Sequence, residues 1–162
     1  RMGAGYVKRW FGGGAAGRGP GGVPPPPQPV AYSHKTHVAQ GLQCSSCHKN
    51  PEPGEVMGFP AESLCMGCHR TVKSDSAEIQ KLAAAAKEKK PVPWVRVYHL
   101  PGYVYFSHRV HGEGGVTCER CHGAVRERDV LTREVEHNMK SCMACHEEMK
   151  APNECGSCHE ER

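Results

Sequence analysis

All 10 cysteines of the 162-residue chain fall in five copies of one pentapeptide, two cysteines separated by two residues with a histidine directly after. The copies are Cys44-Ser-Ser-Cys47-His48, Cys65-Met-Gly-Cys68-His69, Cys118-Glu-Arg-Cys121-His122, Cys142-Met-Ala-Cys145-His146 and Cys155-Gly-Ser-Cys158-His159. Each presents two nucleophilic thiols and one Lewis-basic imidazole. On a helical turn, thiols three residues apart project from one face. A disulfide framework would not need a histidine after every second cysteine. Four-sulfur zinc sites take CxxC in twos, and five is an odd number. A thioredoxin-like dithiol uses the pattern once, beside a βαβ unit.

CxxCH is the attachment signature of c-type haem. The two thiols add across the two porphyrin vinyl groups, and the following histidine turns under the ring to ligate the iron. The reading is therefore five covalently bound haem c groups. Their thioethers come from Cys44, Cys47, Cys65, Cys68, Cys118, Cys121, Cys142, Cys145, Cys155 and Cys158, and their proximal ligands are His48, His69, His122, His146 and His159.

The chain has 11 histidines, so six lie outside the motifs: His34, His37, His99, His108, His111 and His137. Five haems with two imidazoles each need five more, and the supply meets the demand with one to spare. His34 and His37 are three apart, as are His108 and His111, so each pair sits on one helical face and can offer ligands to two neighbouring irons. His137 lies just upstream of a CxxCH. These five are the expected distal ligands. His99, beside Pro101-Gly102, reads instead as a surface or hydrogen-bonded residue. Met57 and Met139 are unnecessary as ligands given the histidine supply.

The elements that position these groups are written twice. At a constant offset of 74, Ser33, His34, His37, Gly41, Cys44, Cys47 and His48 match Ser107, His108, His111, Gly115, Cys118, Cys121 and His122. LCMGCH near residue 65 echoes SCMACH near 142, and a fifth motif follows. We read a first, dihaem unit at 31–72 and a second, trihaem unit at 106–162. Between them, Asp75 with Glu78 resembles a capping box ahead of an alanine run, and lysines precede Pro91. That predicts a helix over 75–89. In PWVRVYHLPGYVYF, β-branched and aromatic residues flank Pro101-Gly102, which predicts a short hairpin within a connector at 73–105.

Residues 1–30 are rich in Gly and Pro, lack any CxxCH, and carry Tyr6, Trp10 and Phe11 as anchors. This arm is expected to lie against a neighbouring subunit. With 19 Gly, 13 Pro and 38% apolar residues, the chain is poorly equipped for a large aliphatic core. The expected fold is a small, mostly irregular and α-helical multihaem cytochrome c, with short helices and a small β-hairpin wrapped around five haems. No apolar run approaches the length of a membrane span. The sequence opens on Arg1 without a signal peptide, so an export signal is expected to have been removed or to lie outside this numbering.

The second unit resembles the small triheme class III cytochromes c. In that family an HxxH pair precedes the first CxxCH, a lone histidine precedes the second, and the third follows soon after. Here those are His108, His111, Cys118–His122, His137, Cys142–His146 and Cys155–His159. The resemblance implies pairing of His108 with His122, His111 with His146 and His137 with His159. By analogy, His34 pairs with His48 and His37 with His69. Through YSHKTH, PWVRVYHLPGYVYFSHRVH and the order of the five motifs, residues 30–162 also resemble the pentahaem cytochrome subunit of alternative complex III and related membrane quinol oxidoreductases.

Two imidazoles fill both axial positions of an iron, which leaves one-electron exchange rather than catalysis. Pentahaem nitrite reductases use a lysine-ligated CxxCK, which is absent here. The formal charge of +4 does not argue for nucleic acid. Ten haem propionates and five ferric centres bring the total to about −1, and reduction to about −6. Lys81, Lys87, Lys89 and Lys90 are expected on a solvated helix face. The expected partners are redox proteins, copies of the chain in an extracellular filament, or subunits of a membrane complex. Haem c attachment takes place outside the cytoplasm, so the setting is periplasmic or extracellular.

Overall fold

The computed structural model describes residues 24–49 and 57–160. Among these residues the secondary structure is helical, with no strand. In chain order the α-helices are α1 (His34–Val38), α2 (Cys44–Cys47), α3 (Glu62–His69), α4 (Ala77–Glu88), α5 (His108–Glu113), α6 (Cys118–His122) and α7 (Met139–Met149). Two 3₁₀ turns, Val125–Glu127 and Cys155–Ser157, complete the set. The anchors Tyr6, Trp10 and Phe11 lie outside the described residues.

Local chemistry explains most boundaries. Ser33 caps α1, its Oγ accepting from Thr36 N at 3.0 Å, and Ser107 caps α5 by accepting from Val110 N at 3.4 Å. Asn138 does the same for α7 through Ser141 N at 2.9 Å. After α1 and α5 the chain turns on Gly41 (φ 84°) and Gly115 (φ 80°), the same place in both repeats. Only glycine holds that left-handed conformation without cost. Helices α4 and α7 end alike, on Lys89 and Lys150 in the left-handed region, with Lys90 N donating to Ala85 O and Ala151 N to His146 O.

The helix expected over 75–89 is α4, but its capping box is not formed. Ser76 occupies the cap position without a side-chain bond. Glu78 turns away and accepts from Ala31 N at 2.7 Å and from Lys81 Nζ at 2.7 Å. Lys81, on the exposed face as expected, also reaches Pro29 O at 3.4 Å and so ties the 29–31 segment to α4.

The expected hairpin is also absent. Around Pro101-Gly102 there is a turn, closed by Val104 N to Pro101 O at 3.0 Å, but its arms do not pair. Tyr105 N donates instead to Cys158 O, and Gln28 takes both the N–H and the C=O of Val95 with its side-chain amide. Of the aromatic residues that signalled strands, Tyr98 and Phe106 pack on histidines, and the Tyr98 hydroxyl bonds to distant backbone.

Among the described residues, the buried apolar side chains are Val30, Ile79, Leu82 and Val92. Cys65, Met66, Ala85 and Trp94 pack against them, which joins α3 to α4 and seats the start of the connector. Glu62 accepts from Val92 N at 2.7 Å and closes this small core.

Candidate functional site

Each HxxH pair is held by the same device. In α1, Tyr32 precedes the Ser33 cap, and its ring stacks on His37 four residues into the helix, with centres 4.3 Å apart and planes 19° apart. The same ring meets His34 edge-on at 4.8 Å and 82°. In α5, Phe106 lies tilted over His111 at 4.5 Å and 31° and meets His108 edge-on at 4.7 Å and 89°. This is a hydrophobic staple with an imidazole as its inner partner. Tyr98 does related work from the connector, edge-on to His122 at 4.7 Å and tilted by 31° over His137 at 4.5 Å. Its hydroxyl donates to His122 O at 3.3 Å and accepts from Glu134 N at 2.9 Å. Sequence reasoning missed all three aromatics. The signal for two of them was present, since Tyr32 and Phe106 are themselves 74 residues apart.

Four histidine pairs face each other across the sites. His34 and His48 have ring centres 6.3 Å apart and planes 11° apart, and His108 and His122 are at 6.3 Å and 5°. His37 and His69 stand at 6.1 Å and 59°, and His111 and His146 at 6.0 Å and 43°. Each member of the α1 and α5 pairs thus faces a different CxxCH histidine.

The other ring nitrogen is engaged in six of the candidate ligands. Nδ1 of His37 and of His111 lies 2.8 Å from the carbonyls of Ser33 and Ser107. Nδ1 of His48 lies 3.0 Å from Gly58 O, that of His69 2.9 Å from Val72 O, and that of His146 2.5 Å from Pro152 O. His159 Nδ1 is 3.2 Å from Glu160 O. A carbonyl can only accept, so Nδ1 carries the proton and Nε2 keeps its lone pair. Burial, then the neighbouring histidines, pushes His34 down to about 4 and His122 down to about 4. Both are neutral at pH 7, the form that binds a metal.

The cysteines are ten free thiols, so no disulfide framework exists. Among the described residues no cluster of three or more His, Cys, Asp or Glu is placed to hold a bare metal ion. Burial raises the thiols of Cys65, Cys118, Cys121 and Cys142 above their ordinary value. Cys44 and Cys118 open α2 and α6, and each second cysteine sits one turn on. Cys65 and Cys68 lie near the end of α3, and Cys142 and Cys145 in the middle of α7.

His137 and His159 are not brought together. His137 turns its Nε2 to Cys121 O at 2.7 Å and stands 5.8 Å from the His122 ring. His99 is exposed, and Met139 is 69% exposed at the start of α7.

Residues 104–161 match the model of the family cytochrome c7 and related cytochrome c. The matched segment contains α5, the CxxCH motifs at 118, 142 and 155, and the Phe106 staple. The likeness is of this segment to multihaem cytochromes c of class III type, a family of electron-transfer proteins that bind haem c covalently. Proteins of that family are typically exported. No curated protein matches the chain. Among the described residues no helix is long and apolar enough to cross a membrane.

The donor set fits the group. Imidazole binds a first-row metal at about 2 Å through nitrogen, so two rings on opposite sides of one ion have centres about 6 Å apart. Beside each facing pair stand two thiols three residues apart.

Proposed function

We propose that the chain is a pentahaem c-type cytochrome that passes electrons one at a time through closely packed bis-histidine haems. The observation that carries this reading is the set of four facing imidazole pairs at 6.0–6.3 Å, each built from one CxxCH histidine and one HxxH histidine. In this reading His34 and His48 share one iron, His37 and His69 a second, His108 and His122 a third, and His111 and His146 a fourth. The fifth group is held by Cys155, Cys158 and His159, with His137 assigned as its second ligand by the triheme resemblance.

Haem iron supplies reversible one-electron exchange when bound. The chain's residues decide what else is possible. Held by one CxxCH and one HxxH imidazole each, such irons would have no site open to substrate, which favours a conduit over an enzyme. Backbone carbonyls on Nδ1 fix the tautomer and raise ligand basicity, which favours ferric iron and low potentials. One helical turn carries the ligands of two irons, which fastens adjacent groups together.

A pyridine haemochrome assay is expected to give five haems per chain. Low-temperature EPR and carbon monoxide titration are expected to show low-spin haem without stoichiometric CO binding. A stoichiometric high-spin, CO-binding haem overturns full bis-histidine ligation.

The setting we favour is an extracellular filament of copies, in which the Gly/Pro-rich arm of residues 1–30 clasps the next subunit in a head-to-tail contact that does not close. A subunit of a membrane quinol-oxidising complex and a soluble periplasmic shuttle are the competing settings. Electron microscopy of purified protein separates them: monodisperse particles at high concentration overturn the filament.

A further inference from the structure

Tyr98, in the connector, repeats the geometry of Phe106 between two histidines that chain order keeps apart. Its ring meets His122 edge-on, with centres 4.7 Å apart and planes at 90°, and lies over His137 at 4.5 Å and 31°. Phe106 meets His108 at 4.7 Å and 89°, and lies over His111 at 4.5 Å and 31°. In α5 the two histidines share one helical turn, so a single aromatic beside the cap reaches both. His122 ends α6, whereas His137 precedes the Asn138 cap of α7. Here the aromatic brings together what the helix supplies by itself in α5.

The hydroxyl anchors the ring. A phenol has one hydrogen to donate and two lone pairs to accept with. Tyr98 Oη donates to His122 O at 3.3 Å and accepts from Glu134 N at 2.9 Å and Val135 N at 3.3 Å, so all three are used. One side chain thus holds the backbone of the first histidine and the segment that leads into the second. His137 Nε2, 2.7 Å from Cys121 O, keeps that ring against the end of α6. Tyr98 lies ahead of residues 104–161, so this brace comes from outside the segment that matches the cytochrome c7 family.

On the pentahaem reading, His122 and His137 serve different irons, those of the Cys118–Cys121 and Cys155–Cys158 groups. We propose that Tyr98 is a positioning residue for both, its ring fixing the planes of the two imidazoles while its hydroxyl holds the ring in place. An axial imidazole can turn about its bond to the metal, and groups beyond the ligand set its orientation. A half-turn about the Cβ–Cγ bond of His137 moves the ring nitrogens but not the ring plane. The contact with Tyr98 therefore holds whichever edge of His137 meets the iron. In this way the connector sets ligand geometry at two haems of the second unit.

Two measurements on the holoprotein test this. In the fully reduced, diamagnetic protein, the porphyrin ring current moves the protons of a ligating imidazole far upfield. With tyrosine rings labelled, and the Tyr98 signals identified by their loss in Tyr98→Phe, nuclear Overhauser contacts are expected from Tyr98 to two such imidazoles, His122 and His137. Contact with one upfield-shifted imidazole only, or with none, overturns the shared role. In the fully oxidised protein, haem methyl shifts report the ligand planes at each iron. Tyr98→Leu is expected to move the methyl shifts of the Cys118–Cys121 and Cys155–Cys158 haems and to leave the other three unchanged. Tyr98→Phe, which keeps the ring, is expected to move them less. Unmoved shifts in Tyr98→Leu, or equal movement at all five haems, overturns the positioning role. Equal movement in both variants places the effect in the hydroxyl and overturns the role of the ring. If Tyr98→Leu takes up fewer than five haems, the contacts in the reduced, unsubstituted protein decide. The haem count and CO titration described above report separately on the pentahaem reading. Five six-coordinate haems with Tyr98 at a single ligand therefore refute this inference alone.

Discussion

At the scale of single residues, the angles between facing imidazoles divide the sites into two classes. The His34–His48 and His108–His122 planes are nearly parallel, at 11° and 5°, whereas His37–His69 and His111–His146 are twisted by 59° and 43°. In both repeats the parallel pair includes the histidine that meets the staple edge-on, and the twisted pair includes the histidine that lies under its ring. The angle between axial ligand planes sets the splitting of the iron d orbitals, so low-spin EPR of the oxidised protein is expected to resolve two groups of signals of comparable weight. One group would be rhombic, from parallel ligands, and the other would have a larger maximal g value, from twisted ligands. A single homogeneous rhombic signal would contradict these geometries. The ligand candidates themselves were legible in the sequence, because CxxCH and HxxH are local patterns whose spacing fixes one helical face. The staples were not read, although YSH and FSH were in plain view, because the contact depends on where the helix begins. Tyr98 was beyond reach altogether, since its hydroxyl bonds to backbone 24 and 36 residues away.

At the scale of elements, the two HxxH helices look alike but are anchored differently. Ser33 caps α1 and also donates to Asp129, whereas Ser107 caps α5 through Val110 N. Ser107→Ala is expected to cost about 1 kcal/mol, the usual worth of a cap. Ser33→Ala is expected to cost more, by about 1 kcal/mol, because it also removes a bond to a carboxylate across the two units. Denaturant unfolding of the two variants checks the ranking, and equal losses would mean that the Asp129 bond contributes nothing. A second element-level device is the loop from Gly123 to Glu134, braced by Glu134, which pairs with Arg128 and accepts from Ala124 N at 3.0 Å. The Arg128 guanidinium beside it, outweighing burial and helped by the Ala124 N–H, holds the Glu134 carboxyl below the usual carboxylate range. A depressed folded-state value stabilises the fold above the unfolded carboxylate value, and that contribution is lost as pH falls through the lower, folded one. Glu134→Gln is therefore expected to lower stability at neutral pH and to flatten its acid dependence in unfolding curves taken between pH 7 and the acid limit. An unchanged acid slope would place the sensitivity elsewhere. Elements coded by local signals were legible, including α4 and the turn-bearing glycines of the repeat. The hairpin was not, because Tyr105 N donates to Cys158 O and Tyr98 and Phe106 pack on histidines, partners that a local pattern cannot contain.

At the scale of the whole molecule, the polypeptide supplies little core of its own. Among the described residues the buried apolar side chains are Val30, Ile79, Leu82 and Val92, all gathered at α3, α4 and the start of the connector. The second unit contributes none of them. Its large apolar residues are half-buried or exposed, with Val110 at 59% and Met143 at 41%, both on helices that carry candidate ligands. Helices α1, α2, α5 and α6 span four to six residues each, too short to persist on intrinsic propensity. A chain built this way draws its folding free energy from what its thiols and imidazoles bind, as small metal-dependent domains do. The polypeptide made without haem attachment, for instance by expression in a cytoplasm lacking the attachment machinery, is therefore expected to lose most of its helical far-UV circular dichroism and its slowly exchanging amides. Loss should be complete in the second unit and least around α4, where the small aliphatic core lies. Hydrogen exchange resolved by segment distinguishes the two regions. Retention of native protection over α5 to α7 in the haem-free chain would show that side-chain packing alone specifies the second unit, contrary to the burial pattern.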